Sequence, residues 1–276
     1  FIMRGMLGKD GITGTIPGRD AQAATRAVHG PESVLIHPDG AIGTGDELGR
    51  VWRFCASLAT TTTVGGRPLG LALDSAGRVL VANHPLGLQR IEPDGKVTLL
   101  ASEAGGRRIE FANAVTVLPN GTVYLTDSNT RFNLAHGYAP PFGAMDLLEA
   151  RPRGRLLRYD PASGGIEVVR EELMFPNGLA LARDRATLYV AETFRCRVWA
   201  MDVARGTWRV FLDALPGYPD NLAIDAVTGL LWIAMGVRRT AVHDWLALRP
   251  RARGAIMRTP RSLWPRPRAR ALLLAV

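Results

Sequence analysis

Five positions recur at one place in a repeated segment of this 276-residue chain: Glu32, Leu69, Asn113, Asn177 and Asp220. Each follows a proline or alanine (Pro31, Pro68, Ala112, Pro176, Pro219), and a turn comes seven or eight residues later. Four of the five are hard oxygen donors, two carboxylates and two amides, a mixture that suits calcium. The lack of His or Cys in the set argues against zinc and copper. Asn221, beside Asp220, adds a further oxygen. The two carboxylates would balance a divalent cation and would repel each other without one. A cation held there could polarise a carbonyl, with Asp220 and Asn113 as the residues at the reacting group and Asp220, or a metal-bound water, handling the proton. The alternative is that these side chains cap turns or hold a water, since Asn and Asp are common at strand entries. A second set, Asn83, Asp127, Glu192 and Met235, closes the strand after each turn. It would supply outer-sphere or substrate contacts, or simply hold loops.

The elements that must position these residues are visible as a repeat. GPESVLIHPDGAIGTGD, RPLGLALDSAGRVLVAN, FANAVTVLPNGTVYLTD, FPNGLALARDRATLYVAE and YPDNLAIDAVTGLLWIAM each read as strand, turn, strand. AVTV and LALA alternate with the period of a pleated strand, and VLVA, VYLT, LYVA and LWIA suit strands buried on both faces. Asp39-Gly40, Ala76-Gly77 and Asn120-Gly121 supply tight turns. A third strand follows in GRVWRF, GLQRIEP, GRLLRYDP and RVWAMDV. Repeats of roughly forty residues with three or four strands predict β-propeller blades. The first strand of each blade would line the axis, so the column residues would meet in space. The longer gap between Asn113 and Asn177 holds an insertion, residues 129–153, that reads as a loop over one face.

Hydrophobic residues make up 47% of the chain and the mean hydropathy is +0.04, enough apolar content for one large core. The net charge of +9 comes almost wholly from arginine. Arginines cluster late, at 249, 251, 253, 258, 261, 266, 268 and 270, a tail suited to contact with a membrane surface. Aromatic residues are only 7%, and no recognition helix, zinc finger or RNA-binding motif is present, so nucleic acid is not an expected partner. No apolar run reaches the ~20 residues of a membrane-spanning helix. The expectation is a soluble protein of undetermined compartment, with any N-terminal targeting segment missing from a chain that starts at Phe1. Cys55 and Cys196 lack metal-ligand spacing and read as free thiols.

Several motifs resemble one superfamily: GPES (30–33), GRPLGL (66–71), YLTDS (124–128), GRLLRYDP (154–161), FPNGLAL (175–181), VAET (190–193) and GYPDN (217–221). In combination they are similar to the six-bladed propellers that include gluconolactonases of the regucalcin type, paraoxonases and strictosidine synthase-like proteins. The nearest likeness is to the strictosidine synthase-like branch related to adipocyte plasma membrane-associated protein. The resemblance implies one axial calcium with ligands at Glu32, Asn113, Asn177 and Asp220, and a further one at Asn221. His84 in VANHP is similar to an outer-sphere histidine of paraoxonases, whereas the partner histidine implicated there as general base matches Leu69. Ala114 stands where many relatives have Asp. The glutamate of strictosidine synthase proper has no counterpart before Val276.

The expectation is therefore an all-β, six-bladed propeller over residues 30–276, its last blade incomplete, with a basic helical insertion near 241–260. RALLLAV would begin the final blade, and residues 1–29 would contribute to ring closure or leave the sixth blade open. The expected activity is calcium-dependent hydrolysis of a small-molecule ester or lactone. The rival readings are a non-catalytic, calcium-stabilised binding protein and an amine–aldehyde condensing enzyme.

Overall fold

The computed structural model describes residues 28–55, 59–131, 144–259 and 272–275. Strands dominate, and they pair in chain order. The first sheet is β1 (Leu35–Ile36), β2 (Ile42–Gly45), β3 (Arg50–Phe54) and β4 (Ala59–Thr63), and the second is β5 (Arg67–Leu73), β6 (Val79–His84), β7 (Gly87–Ile91) and β8 (Val97–Ala101). A two-stranded ribbon, β9 (Glu103–Ala104) with β10 (Arg107–Arg108), precedes the third sheet. That sheet is β11 (Ala112–Val117), β12 (Val123–Asp127), β13 (Gly154–Tyr159) and β14 (Ile166–Leu173). The fourth is β15 (Pro176–Leu181), β16 (Thr187–Glu192), β17 (Arg197–Asp202) and β18 (Trp208–Leu212). The fifth has three strands, β19 (Gly217–Ile224), β20 (Leu231–Arg238) and β21 (Leu272–Ala275). The helices are α1 (Ala144–Glu149), α2 (Ala241–Ala247) and α3 (Pro250–Arg258).

The chain divides into two compact units, residues 1–125 with 158–167, and residues 126–157 with 168–276. In each, the first hairpin of a sheet is fixed by an Asx turn. Asp74 Oδ1 accepts the amides of Ala76 and Arg78, Asn120 Oδ1 that of Thr122, Asp184 Oδ1 those of Ala186 and Thr187, and Asp225 Oδ1 those of Val227 and Thr228. Gly40, Gly77 and Gly121 take the left-handed conformation that closes such turns, while Arg185 accepts it at φ 55° in the fourth sheet.

Second strands of the second to fourth sheets are buried on both faces, as Leu80, Val81 and Ala82 show in β6 and Leu188, Val190 and Ala191 in β16, whereas β20 departs from that expectation by alternating and leaving Trp232 exposed. Adjacent sheets pack through them. In the first unit Val51 and Val64 meet Val81 and Ile91, and in the second Ala180 and Val198 meet Leu231, Ile233 and Met235.

Two expectations change. Leu272–Ala275 does not open a further blade: it pairs antiparallel with Trp232–Met235 as the third strand of the fifth sheet. The insertion after β12 is more than a loop, because it contains α1. The described residues hold five blade-like sheets, so a sixth is not among them. The segment 1–27 and arginines 261, 266, 268 and 270 lie outside the described residues.

Candidate metal centre

The first strand of three sheets is bulged where the column residue stands. Ladder register shifts between Pro68 and Gly70 in β5, between Pro176 and Leu179 in β15, and between Pro219 and Leu222 in β19. Leu69, Asn177 and Asp220–Asn221 therefore sit in the bulges. A bulge removes a residue from the ladder and re-aims its side chain, a common device beside functional sites.

Neighbouring first strands approach almost backbone to backbone. A Cβ on Gly70 would lie 2.5 Å from the carbonyl oxygen of Asn113, and one on Gly178 would lie 2.5 Å from that of Asp220. Glycine after the column residue is thus a steric requirement. Hydroxyls at the ends of second strands fix the next first strand. Thr126 donates to the Asn177 carbonyl at 2.9 Å, Ser128 to that of Pro176 at 2.6 Å, and Thr193 to that of Pro219 at 2.7 Å.

In the second unit this geometry brings two predicted ligands together. Asn177 Nδ2 donates to Asp220 Oδ1 at 2.6 Å. With its nitrogen so engaged, Asn177 presents a buried Oδ1 that accepts no hydrogen bond from the described residues, and the buried Asn221 amide nitrogen has no partner among them either. Asp220 keeps part of its surface accessible, yet burial pushes its carboxyl up to about 6, against the opposing Asn177 hydrogen bond. Gly236 faces it: a Cβ there would be 3.2 Å from Asp220 Oδ2. A desolvated carboxylate beside a spare buried amide oxygen has the donor chemistry of a hard cation, so these residues fit calcium.

In the first unit, Asn113 is buried on β11. Glu32, ahead of β1, lies 3.9 Å from Arg67 Nη2, and the same guanidinium is 3.5 Å from Glu47. Leu69 is buried and brings no donor.

The second set is committed elsewhere. Asn83 donates to Gln89 Oε1 at 2.6 Å and to the Gly65 carbonyl at 3.0 Å. Asp127 accepts both Nε (3.1 Å) and Nη2 (2.6 Å) of Arg155, with both side chains sealed from solvent. Glu192 accepts Met174 N at 2.8 Å and Trp199 Nε1 at 2.7 Å. Each is held by a side chain from the third strand of its own sheet. Met235 packs in the core.

His84 is likewise internal. It packs against Phe111 with ring centroids 4.2 Å apart, and burial drives its pKa down to about 4 despite a hydrogen bond with the Glu110 backbone. Reasoning from sequence missed Asp46, the same clamp in the first sheet, which accepts Trp52 Nε1 at 2.8 Å. The final Asp of GTGD, in register with the Asn of VAN, was the available signal.

Comparison with known proteins agrees with this architecture. The chain is 38% identical over 217 residues to Arabidopsis thaliana protein strictosidine synthase-like 6, covering 75% of this chain and 57% of that protein. It is 36% identical over 197 residues to adipocyte plasma membrane-associated protein of Salmo salar, covering 67% and 46%. The chain thus spans about half the length of the relatives it matches. Its fold is shared with a Xanthomonas campestris gluconolactonase (TM-score 0.61, 21% identity, 76% of this chain and 71% of that one). It is also shared with regucalcin, a calcium-binding protein of Agrobacterium tumefaciens (TM-score 0.57, 20% identity, 75% and 67%). Residues 21–54 match the model of the strictosidine synthase-like N-terminal family. Residues 47–245 match the SMP-30/gluconolactonase/LRE-like region model, and the chain belongs to that family.

Proposed function

We propose that the protein is a calcium-dependent hydrolase of lactones or aryl esters, with the ion held by Glu32, Asn113, Asn177, Asp220 and Asn221. The observation that carries this reading is the Asn177–Asp220 pair, a half-buried carboxylate and a buried amide oxygen with no partner among the described residues, placed side by side by two strand bulges. Glu32 and Asn113 join it on sequence register. Membership of a family whose structural relatives include a gluconolactonase and a calcium-binding regucalcin supports both the reaction class and the ion.

When bound, calcium supplies a Lewis acid for the ester carbonyl. The residues orient and move the proton. Asn177 fixes Asp220 through Oδ1, and Oδ2, beside Gly236, is the oxygen left to accept a proton from an attacking water. The test is hydrolysis of a lactone panel and phenyl acetate with calcium and then with chelator. Chelator-sensitive turnover that falls about a hundredfold or more in Asp220→Ala, with weakened calcium binding, is expected. No chelator-sensitive turnover, with calcium affinity unchanged in Asp220→Ala, would falsify it.

Leu69 and the sealed His84 favour a second reading, a propeller that uses calcium only for stability while binding a small molecule. It predicts that calcium raises Tm with no turnover on any ester.

A further inference from the structure

Among the described residues, the helical pair α2–α3 is fastened on one side only. On its inner side His243 meets the Tyr218 ring edge-on at 5.3 Å, and Arg239 Nε holds Asp244 Oδ1 at 2.6 Å. Arg253 donates to the carbonyls of Leu148 (3.1 Å) and Leu246 (3.0 Å) and also to that of Ala247, tying α3 to α1 and α2. On the outer side, Val242, Trp245 and Leu248 are 64%, 48% and 79% exposed. Their three-residue spacing puts them on one stripe of α2 and its C-terminal cap. Arg249 lies over the Trp245 ring, 4.7 Å from its centroid, and Arg238, at the end of β20, and Arg251 and Arg258, on α3, are exposed.

We propose that this face docks on anionic lipid bilayers. Between residues 237 and 259 there are six arginines and one acidic residue, Asp244, a net of +5 that complements an anionic surface. Three apolar side chains are too small a patch for a stable protein interface, which buries about 800 Å² per partner. They are enough to enter the headgroup boundary when arginines supply the rest of the attraction. Tryptophan and arginine are the pair that anchors there, the ring at headgroup depth and the guanidinium reaching the phosphates. Tyr218, on which α2 rests, is two residues before Asp220, so docking would place the lipid surface at the end of the fifth sheet that carries Asp220.

The experiment is co-sedimentation of the full chain with vesicles of phosphatidylcholine alone and with about one third phosphatidylserine. Binding to the mixed vesicles only is expected, weakening as salt rises through the range where the Debye length falls from about 10 to 3 Å. Val242→Ser/Trp245→Ser/Leu248→Ser should reduce partitioning about tenfold or more, and each of Arg238→Gln, Arg251→Gln and Arg258→Gln about fivefold, with Tm unchanged. Dibrominated lipid should quench the wild type more than Trp245→Phe. The assignment is overturned by equal binding of the triple variant, by no binding to phosphatidylserine vesicles at low salt, or by lipid-free self-association that the triple variant abolishes. Should the triple variant fail to fold, the brominated-lipid comparison decides alone: equal quenching of wild type and Trp245→Phe overturns the proposal.

Discussion

The two ends of the fourth sheet's first hairpin hold similar residues in opposite states. Pro176 pairs directly with Glu192, and Asn177, the next residue, stands in the bulge that follows. Glu192 has both oxygens occupied, by the Met174 amide and the Trp199 indole. Across on β19, Asp220 has one hydrogen bond among the described residues, and its donor, Asn177, has an oxygen that they leave unused. The contrast repeats along the chain for the carboxylates, with Asp46 and Asp127 clamped by their own third strands; Asn83 is held by Gln89 through its amide nitrogen, while its Oδ1 accepts no hydrogen bond among the described residues. A buried polar group whose partners lie within its sheet stabilises that sheet. One left underused at a bulge has capacity for a ligand. Residue type alone does not separate the carboxylates of the two sets; saturation does.

The largest effect should come from breaking a clamp. Arg155→Met leaves Asp127 charged and sealed, and should cost about 3–5 kcal/mol in urea unfolding. A loss below about 1 kcal/mol would erase the distinction between the two sets.

His84 gives a pH signature on the clamped side. Its folded pKa of about 4 lies below the ordinary 6.5, so the folded state favours the neutral ring. The contribution is intact above pH 6.5 and is lost as pH falls through 4, because the unfolded chain takes up the proton first. Relative to His84→Gln, the wild type should lose about 3 kcal/mol over that span, read from unfolding at several pH values. Parallel pH profiles would show that the histidine stays solvated.

Asp220→Asn should act in the other direction. Replacing a desolvated carboxylate by its neutral isostere should stabilise the calcium-free protein by about 1–2 kcal/mol while removing the calcium-dependent rise in Tm. Destabilisation without calcium would place Asp220 among the clamps. The smallest change is Glu192→Gln, which keeps one acceptor but turns an N–H toward the Met174 amide or the Trp199 indole. About 1 kcal/mol lost in thermal unfolding, with calcium binding untouched, is expected.

Much of this was legible in the residues. The repeat, its two-strand units, the Asp and Asn turns and the register of Glu32, Asn113, Asn177 and Asp220 follow from local chemistry. Alternation, turn preference and spacing act over a few residues and leave their mark in order along the chain. What was hidden depends on partners far away in sequence. Asp127 reads like Asp220 until Arg155, 28 residues on, is seen to hold it. RALLLAV reads as the start of a new blade until it pairs with β20 across more than thirty residues.

By itself, then, the sequence determined an all-β repeat with hard oxygen donors in register, because strand period and turn chemistry are local. Only the tertiary structure decided which carboxylates are spent on the sheet and which remain open to an ion. That choice is made by the bulges that lift Asn177 and Asp220 out of their ladders, and by the third-strand side chains that reach Asp46, Asn83, Asp127 and Glu192.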